Sequence, residues 1–440
     1  MARSGGSEPS SEWAARPSSE STEGGRRGVS TTKQKVQGYA APEDIDALRG
    51  QVRSFLAEHL PPDWKGIGAL PDDEREEFLD DWRALLVERH LLAPSWPVEY
   101  GGTGLGFQAD VVVVEELSSA GAPTYSMNDQ IGLRLLGNTI LHLGTEEQKQ
   151  TYLDRMLRGE DVWCQGFSEP DAGSDLAGLR CRADLDGDEW RINGQKVWTT
   201  AGHLANKMFL LARTNQDAPK HRGISMLLVD TRQPGVQMRP IAMISGGHEF
   251  NEVFFEDARC PSDAVLGEVD GGWGIAMGLL GFERGEQAAT APAVYREELT
   301  RLIAYARERA VLSDPHIRDR IARSEIRVRL LELLGARMVE DVMRGNVPGP
   351  EASLFKLAWS QHSQAVTELA VDLLGADAVA PTGREKATPS ATDLFGSPSS
   401  SQSWVTAFLH ARAGTIYAGT SEIQRNTVAK MVLGLPDEPR

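Results

Sequence analysis

From residue 42 onward the apolar side chains recur at intervals of three and four. Ile45, Leu48, Val52, Phe55 and Leu56 share one face of a helix on that spacing. Phe78, Trp82, Leu85 and Leu86 repeat the pattern, and Asp72 and Asp73 after Pro71 are helix-start signals. Pro94, Pro97 and the glycines of EYGGTGLG, residues 99–106, interrupt it. Further helices are predicted through 111–121 and around 131–143. Thr145, with Gln148 three residues on, forms a capping box for a short helix ending near Gly159.

Between residues 162 and 260 the period changes to short alternating or β-rich runs. Strands are predicted at 207–212, 224–230, 236–241 and 252–257. Asp186-Gly187 and Asn193-Gly194 predict hairpin turns, because a type I′ turn needs positive φ at both central residues. About seven short strands without intervening helices read as an antiparallel sandwich or barrel. After Gly271-Gly272, amphipathic helices are predicted over 275–312, 321–344, 351–374 and 404–433. The interval 376–403, rich in Ala, Pro, Ser, Thr and Gly, reads as a loop or partly mobile insertion.

The pattern therefore gives an α+β fold. A helical domain at 39–162 precedes an antiparallel β-sandwich or barrel at 163–268 and a C-terminal helical bundle at 269–440. A chain of 440 residues accommodates two or three such packed units. Residues 1–38 are dominated by Ser, Gly, Glu and Arg and bury too little surface to offset ordering entropy, so they read as a disordered tail. Arg26-Arg27 is followed by no apolar run and does not read as an export signal.

Composition narrows the function classes. The net charge of −17 argues against a nucleic-acid surface, and no run of 18 apolar residues predicts a membrane span. The three cysteines Cys164, Cys181 and Cys260 have no C-x-x-C spacing and suit a reducing cytoplasm. The nine histidines contain no paired ligand spacing, so no metal site is expected.

Three segments carry chemistry. FSEPDAGSDLAGL at 167–179 is a turn rich in small residues whose backbone N–H groups suit an anion, or simply an ordinary strand-to-loop turn. INGQKVWTTAG follows at 192–202 and IYAGTSEIQRNTVAKMVLGLP at 416–436. In that order, these segments resemble the signatures of the acyl-CoA dehydrogenase family, and the resemblance spans nearly all of residues 42–436. It implies the helix–sandwich–helix fold, FAD as cofactor and α,β-dehydrogenation of an acyl-CoA thioester.

Carried onto this chain, the resemblance places Gln165, Phe167, Ser168 and Ser174 along the flavin, with Ser174 between flavin and CoA. Trp198, Thr199 and Thr200 would lie against the flavin, Thr200 near N5. The segment YARERAVL, residues 305–312, is similar to one whose arginine reaches a neighbouring subunit's FAD; Arg309 matches it, while Leu312 and Arg320 depart from the family pattern. Thr420 matches an FAD contact, and Glu422 stands where many relatives carry Gln. Many members also carry a catalytic Glu between the Tyr and Gly-Thr of the C-terminal motif, where this chain has Ala418. The backbone at Ala418 and Gly419 would still bind the thioester oxygen. The proton-abstracting base is then expected at Glu283 in GFERGE, as in the isovaleryl- and long-chain-type branch, with Arg284 toward the CoA side. A helix-surface pair is the plain alternative for these two residues.

The segments WPVEYGG, PKHRGIS and FERG look most like an actinobacterial subgroup acting on sterol side chains or other bulky acyl chains. Some of that subgroup form α2β2 tetramers, so a homotetramer or a heterotetramer is implied, with an electron-transfer flavoprotein as redox partner. Three rivals stay open: a dehydrogenase of carrier-protein-tethered acyl groups, a flavin oxidase or monooxygenase, and a subunit that only completes a partner's flavin site.

Overall fold

The computed structural model describes residues 40–344, 349–383 and 400–436, with backbone alone for Asp72, residues 280–290 and residues 342–343. The expectations for residues 1–38 and for most of the 376–403 interval fall outside the described residues. The N-terminal part contains α1 (Pro42–His59), α2 (Asp72–Glu88), α3 (Phe107–Ser119), α4 (Met127–Asp129), α5 (Asn138–Leu143) and α6 (Glu146–Leu157). Leu48, Val52, Phe55 and Leu56 are the buried face of α1, as their spacing requires. Phe55 meets the Trp82 indole of α2 at 5.0 Å between ring centroids. Arg53 Nε donates to Glu116 of α3 at 2.8 Å, tying the polar edges of α1 and α3 together. Thr145 and Gln148 make the reciprocal capping box at the start of α6. The helix predicted around 131–143 is irregular: Gln130–Gly137 is π-helical between α4 and α5.

The middle of the chain forms one eight-stranded sheet: β1 (Trp163–Gly166), β2 (Arg182–Asp186), β3 (Glu189–Thr200), β4 (Lys207–Arg213), β5 (Ile224–Asp230), β6 (Val236–Pro240), β7 (Phe250–Pro261) and β8 (Val265–Leu266). The strand order is β6-β7-β3-β2-β4-β5-β8, with β1 added against β4. Most ladders are antiparallel, but β1 runs parallel to β4 and β2 meets β4 in parallel at Arg182 and Arg213. The centres of β4 and β5 are buried throughout, which explains their unbroken apolar runs.

One predicted hairpin is absent. Asn193-Gly194 lies inside β3, at a register irregularity against β7. Gly194 has φ +145°, and a Cβ there would come within 2.7 Å of Cys181 Cα. The glycine answers close approach of a neighbouring backbone and not a chain reversal. The other hairpin is present, with Asp186 opposite Glu189 across Gly187 and Asp188.

The C-terminal part is α7 (Gly272–Glu308), α8 (Pro315–Met343), α9 (Ala352–Leu374), α10 (Ser401–Ala411) and α11 (Ser421–Thr427). Leu299 and Leu302 of α7, Val328 of α8, Val366 and Leu369 of α9, and Trp404 of α10 share one core. The single helix predicted over 404–433 is broken between α10 and α11. Ala418 at φ +51° and Gly419 at φ +85° turn the chain there, in the left-handed region that a continuing helix excludes.

Candidate active site

The first wall of the site is built where β1 and the segment after it meet the end of β3. Val197 N–H donates to Ser168 O at 2.9 Å. The neighbouring Lys196 side chain is fully buried, and its Nζ donates to Phe167 O at 3.0 Å and to Glu169 Oε1 at 2.7 Å. Glu169 also accepts from the Arg180 N–H at 2.6 Å and the Cys181 N–H at 2.8 Å. A buried ion pair survives desolvation when further hydrogen bonds satisfy it in this way. The network locks the SEPD turn to β3.

Next along β3 the register slips. Lys196 pairs with Val253 and Thr199 with Asn251, so Val197 and Trp198 together face only Glu252. Such a bulge re-aims the side chain it carries. Trp198 adopts φ +63° and is 59% exposed, its indole edge-on to Phe250 at 6.1 Å. Thr199 turns inward, and Asn251 Nδ2 donates to its carbonyl at 3.0 Å. Gln165 Nε2 and Thr199 Oγ1 are buried without a hydrogen-bond partner among the described residues. Ser168 and Thr200 are half-buried beside them. An exposed indole with buried, unsatisfied donors nearby fits a planar heteroaromatic group with a polar rim, which is what the isoalloxazine of FAD is. Ser174 is exposed, next to Asp175, which pairs with Lys220 across the loop.

The second wall is the turn between α10 and α11. Gln424 Nε2 donates to Ala418 O at 2.8 Å and, more weakly, to Gly419 O at 3.4 Å. Among the described residues nothing accepts from the Ala418 or Gly419 N–H, so both are open to a ligand oxygen. Thr420 caps α11, its hydroxyl accepting from the Ile423 N–H at 3.2 Å. Glu422 is exposed, and its own N–H and the Thr420 hydroxyl hold its carboxyl below the usual range. The two walls are linked. Ala201 N–H donates to Glu249 O at 2.8 Å, and Glu249 Oε2 lies 3.5 Å from His410 Nε2 of α10. The sequence carried no signal for that link; Lys196 and Glu169, by contrast, sit inside the two β-side motifs and were missed as a pair.

Glu283 and Arg284 lie on α7, and their side chains are outside the described residues. The start of that helix is pressed against β5: a Cβ on Gly272 would come within 2.6 Å of Ser225 C. Arg309 caps the other end of α7, its guanidinium 5.1 Å above the Tyr305 ring and 2.5 Å from Asp377 Oδ2. Hydrogen bonds that Arg309 donates to Asp377 and then to Tyr305 raise its pKa. Arg320 pairs with Asp372.

Three domain families match in chain order: acyl-CoA dehydrogenase N-terminal domain at 42–160, middle domain at 164–258 and C-terminal domain at 270–433. The chain belongs to the acyl-CoA dehydrogenase family. These are FAD-dependent oxidoreductases of acyl-CoA thioesters. The chain is 40% identical over 403 residues to acyl-CoA dehydrogenase IpdE1 of Mycobacterium tuberculosis, covering 90% of this chain and 100% of that one. Among solved structures it resembles the Tcur3481-Tcur3483 steroid ACAD with TM-score 0.73 and 29% identity, covering 91% of this chain and 99% of that one. The ChsE4-ChsE5 complex from Mycobacterium tuberculosis follows with TM-score 0.70 and 27% identity, over 91% and 99% of the two chains. No helix among the described residues is long and apolar enough to cross a membrane, and no group of His, Cys, Asp and Glu among them could hold a metal.

Proposed function

We propose that this acyl-CoA dehydrogenase binds FAD on the β3 bulge and removes the Cα proton of a bulky acyl-CoA with Glu283. The observation that carries the reading is the pairing of the exposed Trp198 indole with the orphaned polar atoms of Gln165 and Thr199. Bound FAD supplies a two-electron acceptor for the hydride lost from Cβ. Gln165, Phe167, Ser168, Trp198, Thr199 and Thr200 would hold the ring, Ser174 the region between ring and CoA, and Thr420 and Glu422 the far side. Arg309 would serve the flavin of a second subunit.

The chain's own part in the chemistry is acid–base and electrostatic. The N–H groups of Ala418 and Gly419, without partners among the described residues, would donate to the thioester carbonyl oxygen as charge develops there. Glu283 would take the proton in place of the acid missing at Ala418, and Arg284 would serve the CoA side, where a cation suits phosphate. The resemblance to a steroid ACAD supports a branched, long or polycyclic acyl chain. An electron-transfer flavoprotein would reoxidise the flavin, in a homotetramer or an α2β2 heterotetramer, the second in keeping with a relative solved as the ChsE4-ChsE5 complex. Three buried free cysteines, Cys164 with its thiol pushed up by burial, suit a reducing cytoplasm.

The test is anaerobic flavin bleaching of the FAD-loaded protein by a panel of acyl-CoAs. The reading expects reduction with the α,β-unsaturated thioester as product. A flavin-loaded protein that no acyl-CoA in the panel reduces would sink it.

A further inference from the structure

The row of side chains along α9 beneath the α10–α11 turn contains donors that nothing among the described residues accepts from. Ser353, Lys356 and Trp359 follow one i, i+3 ridge of the helix and are only 1%, 6% and 8% exposed. Ser353 Oγ, Lys356 Nζ and Trp359 Nε1 have no hydrogen-bond partner among the described residues. Two of these are neutral and lose a bond each, but an ammonium buried without a counter-ion is far costlier.

The ridge is the floor of the turn. A Cβ on Gly414 would meet Trp359 Cζ3 at 3.2 Å, and the Trp359 and Tyr417 rings lie 6.0 Å apart. Gln364 Nε2 of α9 reaches Ala411 O and Thr415 Oγ1 at 3.3 Å each. Lys356 Nζ sits 6.0 Å from the Trp359 ring centroid, so the indole lies between the charge and the residue before Ala418. Glu422 acts on the lysine only at a distance. Its carboxylate is engaged by its own N–H, by Thr420 and by Arg425 at 3.5 Å. Burial pushes the Lys356 ammonium down to about 8, with Glu422 opposing, so it is mostly protonated at neutral pH. His362, one step further along the ridge, is held neutral by burial and by Arg327 and Arg296, and competes for no anion.

We propose that Lys356 is a positioning cation of the acyl-thioester site. Its charge, held beside the Trp359 ring and with no hydrogen-bond partner among the described residues, favours the negative charge that gathers on the thioester oxygen when Cα loses its proton. The inference rests on the dehydrogenase reading above and adds a residue that touches neither substrate nor flavin. The cost of burying the charge is recovered when that charge forms above it.

A 3-thia-acyl-CoA tests this, because sulfur at Cβ has no hydride to give and only the Cα ionisation remains. Its anion is seen as a long-wavelength charge-transfer band with the flavin, and the pH dependence of that band gives the pKa of the bound analogue. In the FAD-loaded enzyme, Lys356→Met is expected to raise that pKa by about one unit, a tenfold weaker ionisation. Lys356→Arg is expected to restore most of it, with FAD content and thermal midpoint near wild type. Equal pKa values for wild type and flavin-loaded Lys356→Met would overturn the assignment. Should the methionine variant fail to take up flavin, Lys356→Gln carries the same comparison. A wild-type holoenzyme giving no band with any such analogue would overturn the dehydrogenase reading, and this assignment with it.

Discussion

The two walls of the site are held together in different ways. On the β side, Lys196 and Glu169 satisfy each other and the surrounding backbone, and the bulge at Val197–Trp198 is held from both flanks by sheet pairing. On the helical side, the turn at Ala418 is closed by one Gln424 side chain, its N–H groups are unused, and the α9 donors beneath it are unpaired. A surface that must recognise an invariant ring profits from rigidity. A surface that must receive charge created during a reaction has to keep its hydrogen-bonding capacity unspent until then. Each wall nevertheless keeps capacity for a ligand: Gln165 Nε2 and Thr199 Oγ1 on the β side, and the Ala418 and Gly419 N–H groups on the helical side, have no partner among the described residues.

That contrast is open to attack, most sharply at the base. Glu283→Gln should keep its FAD yet lose about 10²–10⁴-fold in dehydrogenation, the range for removing a general base. Bleaching by substrate at near-wild-type rate in that variant would place the base elsewhere. Next in size is the rigid wall itself. Lys196→Met leaves the Glu169 carboxylate buried without its partner and should lower stability by about 3–5 kcal/mol, read from thermal or denaturant unfolding. A loss under about 1 kcal/mol would mean that the network is dispensable and the contrast false.

Smaller effects refine the picture. Arg309→Ala should weaken FAD binding by about tenfold or more, as expected for a charge-assisted hydrogen bond, while the sheet stays folded. Stoichiometric, tight FAD in a strictly monomeric preparation would contradict a role across a subunit boundary. A comparable effect concerns substrate shape. Ala418 leaves room where relatives place a carboxylate, so branched, cyclic or long acyl-CoAs should exceed butyryl-CoA by about 1–3 kcal/mol in kcat/KM per well-placed apolar group. Butyryl-CoA ranking first in such a series would remove the argument.

Much of the architecture was legible in the chain itself. The three-and-four spacing of α1, the Thr145 capping box and the apolar runs of β4 and β5 are local patterns, and local patterns survive folding when burial agrees with them. The errors are equally physical. Asn193-Gly194 reads as a turn because the dipeptide tolerates positive φ, but that tolerance also serves a strand whose neighbour, Cys181, crowds it. The helix predicted over 404–433 keeps its period on both sides of Ala418, so periodicity passed over the break that shapes the site.

The sequence by itself determined the order of the three structural parts, the family, and the absence of an acid at Ala418, because each depends on residue type at a position. Only the tertiary structure decided that Trp198 faces outward, that Lys196 spends its charge on Glu169, and that the Lys356 ammonium has no hydrogen-bond partner in the described fold. All three are lysines or aromatics within ordinary-looking segments, and their roles turn on what lies opposite them. Partnership is a property of distance in space, which one-dimensional spacing does not encode.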